Sequence, residues 1–185
     1  MTTFHSYLES PVGQILLVGD GQFLCGLYLP NHKHWNGLRA NSQQDDDPFR
    51  DVRRQLTEYF AGERQQFDVP FKLDGTPFQK QVWQELARIP FGITISYREL
   101  ARRVGSPSAV RAVGAANGRN PISIIVPCHR VIGANGKLTG YGGGLPNKEW
   151  LLAWERLQVA GRQQNLFDST DLPWISAEKK CCEIL

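Results

Sequence analysis

The sequence predicts two linked units: an α/β (α+β) N-terminal domain with a small antiparallel sheet, and a mainly α C-terminal domain of helix-turn-helix, winged-helix-like character. Three observations predict them. Short apolar runs broken by turn residues fill the first thirty positions, one amphipathic helical stripe follows, and two capped helix starts with a Gly-Ser-Pro turn come after Thr76. A chain of 185 residues, 41% hydrophobic and 10% aromatic, suits one domain or two small ones with real cores.

Phe4 to Leu8, Gln14 to Val18 and Phe23 to Leu29 read as short strands, with Asp20-Gly21 as the tight turn between the last two. Residues 31 to 47 are polar and end in Asp45-Asp46-Asp47, so they read as a loop or partly mobile excursion. Phe49, Val52, Leu56, Tyr59 and Phe60 recur at helical spacing before Gly62, a stop signal, and residues 64 to 75 form a connection. The first domain is thus placed at 1–73 and the second at 74–160, with 161–185 as a flexible tail. Thr76-Pro77-Phe78-Gln79 supplies a cap, a proline at the first helical position and a capping-box Gln. Phe78, Val82, Trp83, Leu86 and Ile89 continue that helix as an apolar stripe. Ser96-Tyr97-Arg98-Glu99 repeats the capping-box pattern, and a third helix follows Ser106-Pro107 across a turn at Gly105. This last helix is rich in small residues, Ala109, Ala112, Gly114, Ala115, Ala116 and Gly118, which permit either close approach to another surface or tight helix packing.

The N-terminus lacks the regions of a signal peptide and no apolar stretch approaches the roughly 20 residues of a membrane span, so a cytoplasmic location is expected. Cys25, Cys128, Cys181 and Cys182 give neither metal-ligand spacing nor a disulfide framework. A net charge of +3 is too mild to argue for nucleic acid by itself. Distribution says more: Arg98, Arg102, Arg103, Arg111 and Arg119 face a single local acid, Glu99.

At Pro127-Cys128-His129-Arg130, a thiol and an imidazole are neighbours after the apolar run Ile122-Ser123-Ile124-Ile125-Val126. A thiol becomes a strong nucleophile when a neighbour lowers its pKa or takes its proton, and His is the residue poised to do so. Adjacent residues on a regular strand point to opposite faces, so a bend or a bridging water is required. Around the motif lie Asn120-Pro121, Gly133-Ala134-Asn135-Gly136, Tyr141-Gly142-Gly143-Gly144 and Lys148-Glu149-Trp150-Leu151-Leu152-Ala153-Trp154-Glu155. With these segments, and with Arg111-Ala112-Val113-Gly114, the chain resembles the O6-alkylguanine-DNA alkyltransferases, also called DNA-protein-cysteine methyltransferases. The resemblance is strong from about Thr76 to Leu157, weaker before it and absent from about Gly161.

The resemblance implies a single-turnover repair protein that moves an alkyl group from O6-alkylguanine, and from O4-alkylthymine, to Cys128, with no cofactor and alkylated double-stranded DNA as partner. It implies that His129 takes the Cys128 proton through a water, held by Glu155, which alone reads as a solvated helical charge. It makes Asn120 the fixer of the bend, Tyr97 a donor to the leaving base, and Arg111 a finger filling the duplex as the base flips out through the minor groove. Arg111, Ala112, Gly114, Ala115 and Gly118 would face DNA, and Tyr97, Val131, Tyr141, Gly142, Gly143 and Lys148 would line the base pocket. Gly142 stands where some members carry Ser, which suggests an open wall for larger alkyl groups. Arg130 reads as either structural or phosphate-facing. Zinc ligands of some members do not line up with His5, Cys25, His32 or His34, so no metal is expected. A lesion-marking alkyltransferase-like protein and an alkylation-sensing regulator are the alternatives; the first lacks the acceptor Cys and the second needs an added zinc-thiolate domain. In the tail, Gln163-Gln164-Asn165-Leu166-Phe167 matches a Gln-x-x-Leu-Phe peptide that docks on the replicative sliding clamp, giving Gln163, Leu166 and Phe167 as candidate contacts.

Overall fold

The computed structural model describes residues 2–168, and side chains as far as Gly161. The side chains of Gln163, Leu166 and Phe167, and all of Cys181 and Cys182, lie outside the described residues. The apolar runs form β1 (Thr3–Leu8), β2 (Ile15–Gly19) and β3 (Leu24–Tyr28), an antiparallel meander. Asp20 closes the β2–β3 turn by accepting from the backbone of Gln22 and Phe23 at 3.0 and 2.8 Å.

The sheet is mixed, not purely antiparallel. Inside the expected loop 31–47 lies β4 (Ser42–Gln44), parallel to β1, and the strand order is β3-β2-β1-β4. Ser-Gln-Gln has no apolar alternation to announce it. Backbone pairing holds it, together with a 2.8 Å hydrogen bond between His5 Nδ1 and Ser42 Oγ, and a short polar edge strand resists pairing with other chains.

α1 (Arg50–Phe60) buries Val52, Leu56 and Tyr59, and its buried Gln55 grips the backbone of Asp68 from both sides at 2.8 and 2.9 Å. That grip steers the connector toward the second unit. There α2 (Pro77–Ala87) starts with the full capping box, Thr76 N donating to Gln79 Oε1 at 2.9 Å and Gln79 N to Thr76 Oγ1 at 3.3 Å. β5 (Ile95–Ser96) and α3 (Tyr97–Arg103) follow. Only half of the second capping box forms: Ser96 Oγ accepts from Glu99 N at 3.0 Å, but the Glu99 carboxylate turns to Arg102 and Arg103 at 2.8–2.9 Å. Ser96 is also the end of β5, paired with Ile132, so its backbone is already engaged.

Gly105 adopts φ +70° and turns the chain into α4 (Val110–Gly118), which starts later than Ser106-Pro107 because Ala109 N first closes a turn on Ser106 O at 2.9 Å. Val113, Ala116 and Asn117 are the buried side of α4, and Trp83 Nε1 donates to Ala116 O at 2.8 Å, locking α2 against it. β6 (Val131–Ile132) pairs in parallel with β5, and α5 (Leu145–Asp168) carries the backbone helix past Gly161, where the sequence reading begins the tail.

The two units share a core. β3 is stitched to the segment that leads to Cys128, with Leu27 N donating to Pro121 O at 2.8 Å and Ser123 N to Leu27 O at 3.0 Å. No helix among the described residues is long and apolar enough to cross a membrane.

Candidate active site

Residues 122–126 form no strand. Ile124 takes φ +68°, a left-handed conformation that costs a β-branched residue about 1–2 kcal/mol and persists here because the side chain is buried and the turn is hydrogen-bonded on both sides. Val126 N donates to Ile122 O at 3.0 Å and Ile125 N to Ser123 O at 2.8 Å. This is the bend that the neighbouring thiol and imidazole require. The chain then enters a 3-10 turn at Cys128–Arg130, all three residues buried.

Asn120 fixes that bend. Its Nδ2 donates to Val126 O at 2.7 Å and to Cys128 Sγ at 3.0 Å, while its Oδ1 accepts from Ile122 N at 3.0 Å. Burial pushes the Cys128 thiol up to about 11, against the weaker opposing effects of Asn120 and Lys148. The resting sulfur therefore holds its proton at neutral pH and needs a base.

His129 is the group placed to act as one. Its Nε2 lies 2.8 Å from Glu155 Oε1, and both side chains are fully buried. Burial works against the Glu155 charge, but hydrogen bonds from His129 and Arg130, with the Arg130 charge, prevail and hold the carboxyl well below its ordinary range. Arg130 grips both oxygens: Nη2 and Nε reach Oε1 and Oε2 at 2.8 and 3.0 Å, while Nη1 donates to Ile89 O at 2.6 Å. Arg130 is thus a structural cation and faces no solvent phosphate. Burial also lowers the His129 pKa below its usual value, outweighing Glu155, so the ring is neutral. With Nε2–H directed at the carboxylate, the lone pair sits on Nδ1, which is buried and has no hydrogen-bond partner among the described residues.

Around the thiol, Lys148 is fully buried and donates from Nζ to Val131 O at 2.6 Å and Thr139 O at 3.1 Å, tying the two ends of the loop between them. Burial lowers its pKa to about 8. Tyr97 OH lies 2.9 and 3.1 Å from Thr139 O and Gly140 O, and burial raises its pKa, so it keeps a proton to donate. Val131 lies in the core beneath this loop. Tyr141 and Gly143 are buried, with an added Cβ on Gly143 coming within 2.8 Å of Leu29.

The wall at Gly142 is not open. An added Cβ there would lie 2.4 Å from His32 Nε2 and 2.7 Å from Gly118 O, so the N-terminal loop fills the space that a larger residue would occupy. A crevice of about 230 Å³ runs beside it between Lys33 and His34 on one side and Gly114, Ala115, Gly118 and Arg119 on the other. On α4, Arg111, Ala112 and Ala115 are exposed, and an added Cβ on Gly114 or Gly118 would meet nothing closer than 3.7 Å. Their smallness therefore serves an open face, since packing inside the domain does not demand it.

The sequence reading misses Tyr59 and Gly92, which complete the Glu155 shell: Tyr59 OH donates to Oε1 at 2.9 Å and Gly92 N to Oε2 at 2.9 Å. A tyrosine in an otherwise apolar stripe was the available signal, since a buried hydroxyl requires a partner.

The fold and site define a two-domain protein with a helix-turn-helix unit, in which a buried thiol precedes an imidazole hydrogen-bonded to a buried carboxylate. Family models described as the 6-O-methylguanine DNA methyltransferase ribonuclease-like domain and DNA binding domain match residues 3–73 and 77–157. A methylated-DNA–protein-cysteine methyltransferase of Methanosarcina acetivorans is 51% identical over 82% of this chain and 97% of its own length. One of Mycobacterium bovis is 48% identical over 87% and 96%. Among solved structures, the Mycobacterium tuberculosis O6-methylguanine methyltransferase superposes with TM-score 0.82 at 47% identity, over 90% of this chain and 100% of that one. The M. tuberculosis OGT in complex with DNA gives 0.79 at 48% identity, over 84% and 94%. The chain belongs to the 6-O-methylguanine DNA methyltransferase family.

Proposed function

We propose that this chain repairs DNA by a single, irreversible transfer of an alkyl group from O6 of guanine, and from O4 of thymine, to Cys128. The observation that supports it most is the neutral His129 with a buried free Nδ1 beside a protonated thiol, backed by an ionised Glu155. His129 Nδ1 receives the Cys128 proton through a water, the sulfur lone pair forms an S–C bond, and the C–O bond breaks with its electrons leaving on the base. Tyr97 OH donates to the base ring nitrogen and neutralises the charge that develops there. The product is a thioether, a poor leaving group, so each molecule acts once without a cofactor.

A thiol cannot reach the base oxygen in line within a stacked duplex, so the nucleotide must leave the stack. The open face of α4 enters the minor groove, Arg111 fills the gap, and Arg98 and Arg119 hold the backbone. Arg102 and Arg103, paired with Glu99, give less to this face than a count of arginines suggests. We place the protein in the cytoplasm at its DNA, and assign 1–73 and 74–160 as its two domains.

Incubation with an oligonucleotide carrying one O6-methylguanine, followed by intact mass and peptide mapping, is the test. The expected result is one added methylene mass on Cys128, saturating at one per protein and absent from Cys128→Ala. Lesion binding without mass gain would instead identify a lesion-marking protein.

The Gln163, Leu166 and Phe167 motif is proposed to dock on the replicative sliding clamp, because repair of scattered lesions gains from a partner that travels on DNA. A clamp pull-down that survives deletion of 163–167 rules this out.

A further inference from the structure

Tyr59 belongs to α1 in the N-terminal unit, 96 positions from Glu155, yet its hydroxyl is fully buried and donates to Glu155 Oε1 at 2.9 Å. His129 Nε2 meets that same oxygen at 2.8 Å. Arg130 Nη2 reaches it too, at 2.8 Å. Donors that share one carboxylate oxygen are coupled, because each withdraws charge from the acceptor of the others. Trp154 Nε1 in turn donates to Tyr59 O at 3.3 Å, so α5 holds the residue that holds its own Glu155.

We propose that Tyr59 is a positioning residue for alkyl transfer, acting through Glu155 on the basicity and orientation of His129. The inference rests on the reading of His129 as the base. Tyr59 touches neither Cys128 nor the incoming base; it is the donor by which the N-terminal unit enters the hydrogen-bond line. The groups facing His129 and Glu155 are Tyr59 from α1, Arg130 and Cys128 from the bend, and Lys148 and Tyr141 from the C-terminal segment. Lys148, lowered to about 8, loses its charge on the alkaline side, and Tyr59 and Tyr141 keep their protons, so the acidic limb of the rate reports His129.

The sign follows. Removing the hydroxyl returns charge to Oε1 and stabilises the imidazolium, so His129 becomes protonated at higher pH.

The experiment is single-turnover transfer from duplex DNA containing one O6-methylguanine, across mildly acidic to mildly alkaline pH, for wild type, Tyr59→Phe, Glu155→Gln and the double variant. Tyr59→Phe is expected to slow transfer roughly tenfold, the scale of one hydrogen bond to a charged group, and to move the acidic limb to higher pH. In the Glu155→Gln background it should add nothing. 3-Fluorotyrosine at position 59 keeps the ring and strengthens the donor, and should move the limb the other way. An equal loss in both backgrounds with unmoved limbs, or no loss at all, overturns the proposal. Glu155→Gln at the wild-type rate would remove the catalytic reading beneath it, whereas slow Glu155→Gln with additive Tyr59→Phe leaves that reading standing and sinks only this one.

Discussion

Cys128 holds its proton at rest because burial costs a thiolate its hydration, and this makes the site selective about what it reacts with. Iodoacetamide modification of Cys128 in the free protein should be slow at neutral pH and climb as pH rises toward about 11, where the thiol ionises without help. Transfer from a methylated duplex should already be fast at neutral pH, falling only on the acidic side of the ordinary histidine value, since His129 titrates lower than usual. A thiol equally reactive toward iodoacetamide across this range would contradict the buried, base-assisted site. At Gly142 the expected change is steric: Gly142→Ser forces a side chain into His32 and Gly118 O and should cost about 1–3 kcal/mol in denaturant melts. A second change, His32→Ala, should recover part of that loss, because the backbone oxygen cannot yield. The motif makes Cys128 and His129 legible in the sequence, while the role of Asn120 comes from the family resemblance. Glu155 is legible only through the family resemblance, because nothing local distinguishes a buried helical carboxylate from a solvated one. The partners of His32 and Tyr59 are not legible: one residue sits in a polar loop, the other shows only a hydroxyl in an apolar stripe, and what each meets is more than 90 positions away.

Elements whose signals are local follow the sequence closely. α1, α2, α3 and the first three strands carry their own caps, stripes or turns, so their places can be read without knowing their distant partners. Thr76→Ala should cost about 1 kcal/mol in the same melts by removing half of the α2 capping box, and Thr76→Ser should not. The elements set by distant pairing were hidden. β4 exists because β1 offers it an edge, and the bend at Ile124 exists because Asn120 and β3 hold both of its ends. On the α4 face, Arg111→Ala should weaken binding to lesion-bearing duplex and lower transfer at limiting protein, while leaving the melting temperature within error of wild type, since the side chain is exposed. A large stability loss would place Arg111 in the structure instead of at the DNA.

Across the whole molecule, the two units are joined by polar contacts that neither could satisfy alone. Tyr59 and Glu155, Leu27 and Pro121, and Trp154 and the Tyr59 carbonyl all span the boundary. The intact chain is therefore expected to melt in one transition by calorimetry, and two resolved transitions would show that the shared core does not couple them. Glu155→Ala should be among the most damaging single changes, about 3–5 kcal/mol, because it strands the buried Arg130. The tightness at Cys128 has an outcome beyond the reaction itself. The sulfur is 2% exposed as part of its residue and accepts from Asn120 Nδ2 at 3.0 Å, so a carbon bonded to it competes with that hydrogen bond and with tight packing. A spent copy is therefore expected to melt at a lower temperature than a fresh one, a difference that calorimetry of the two forms checks.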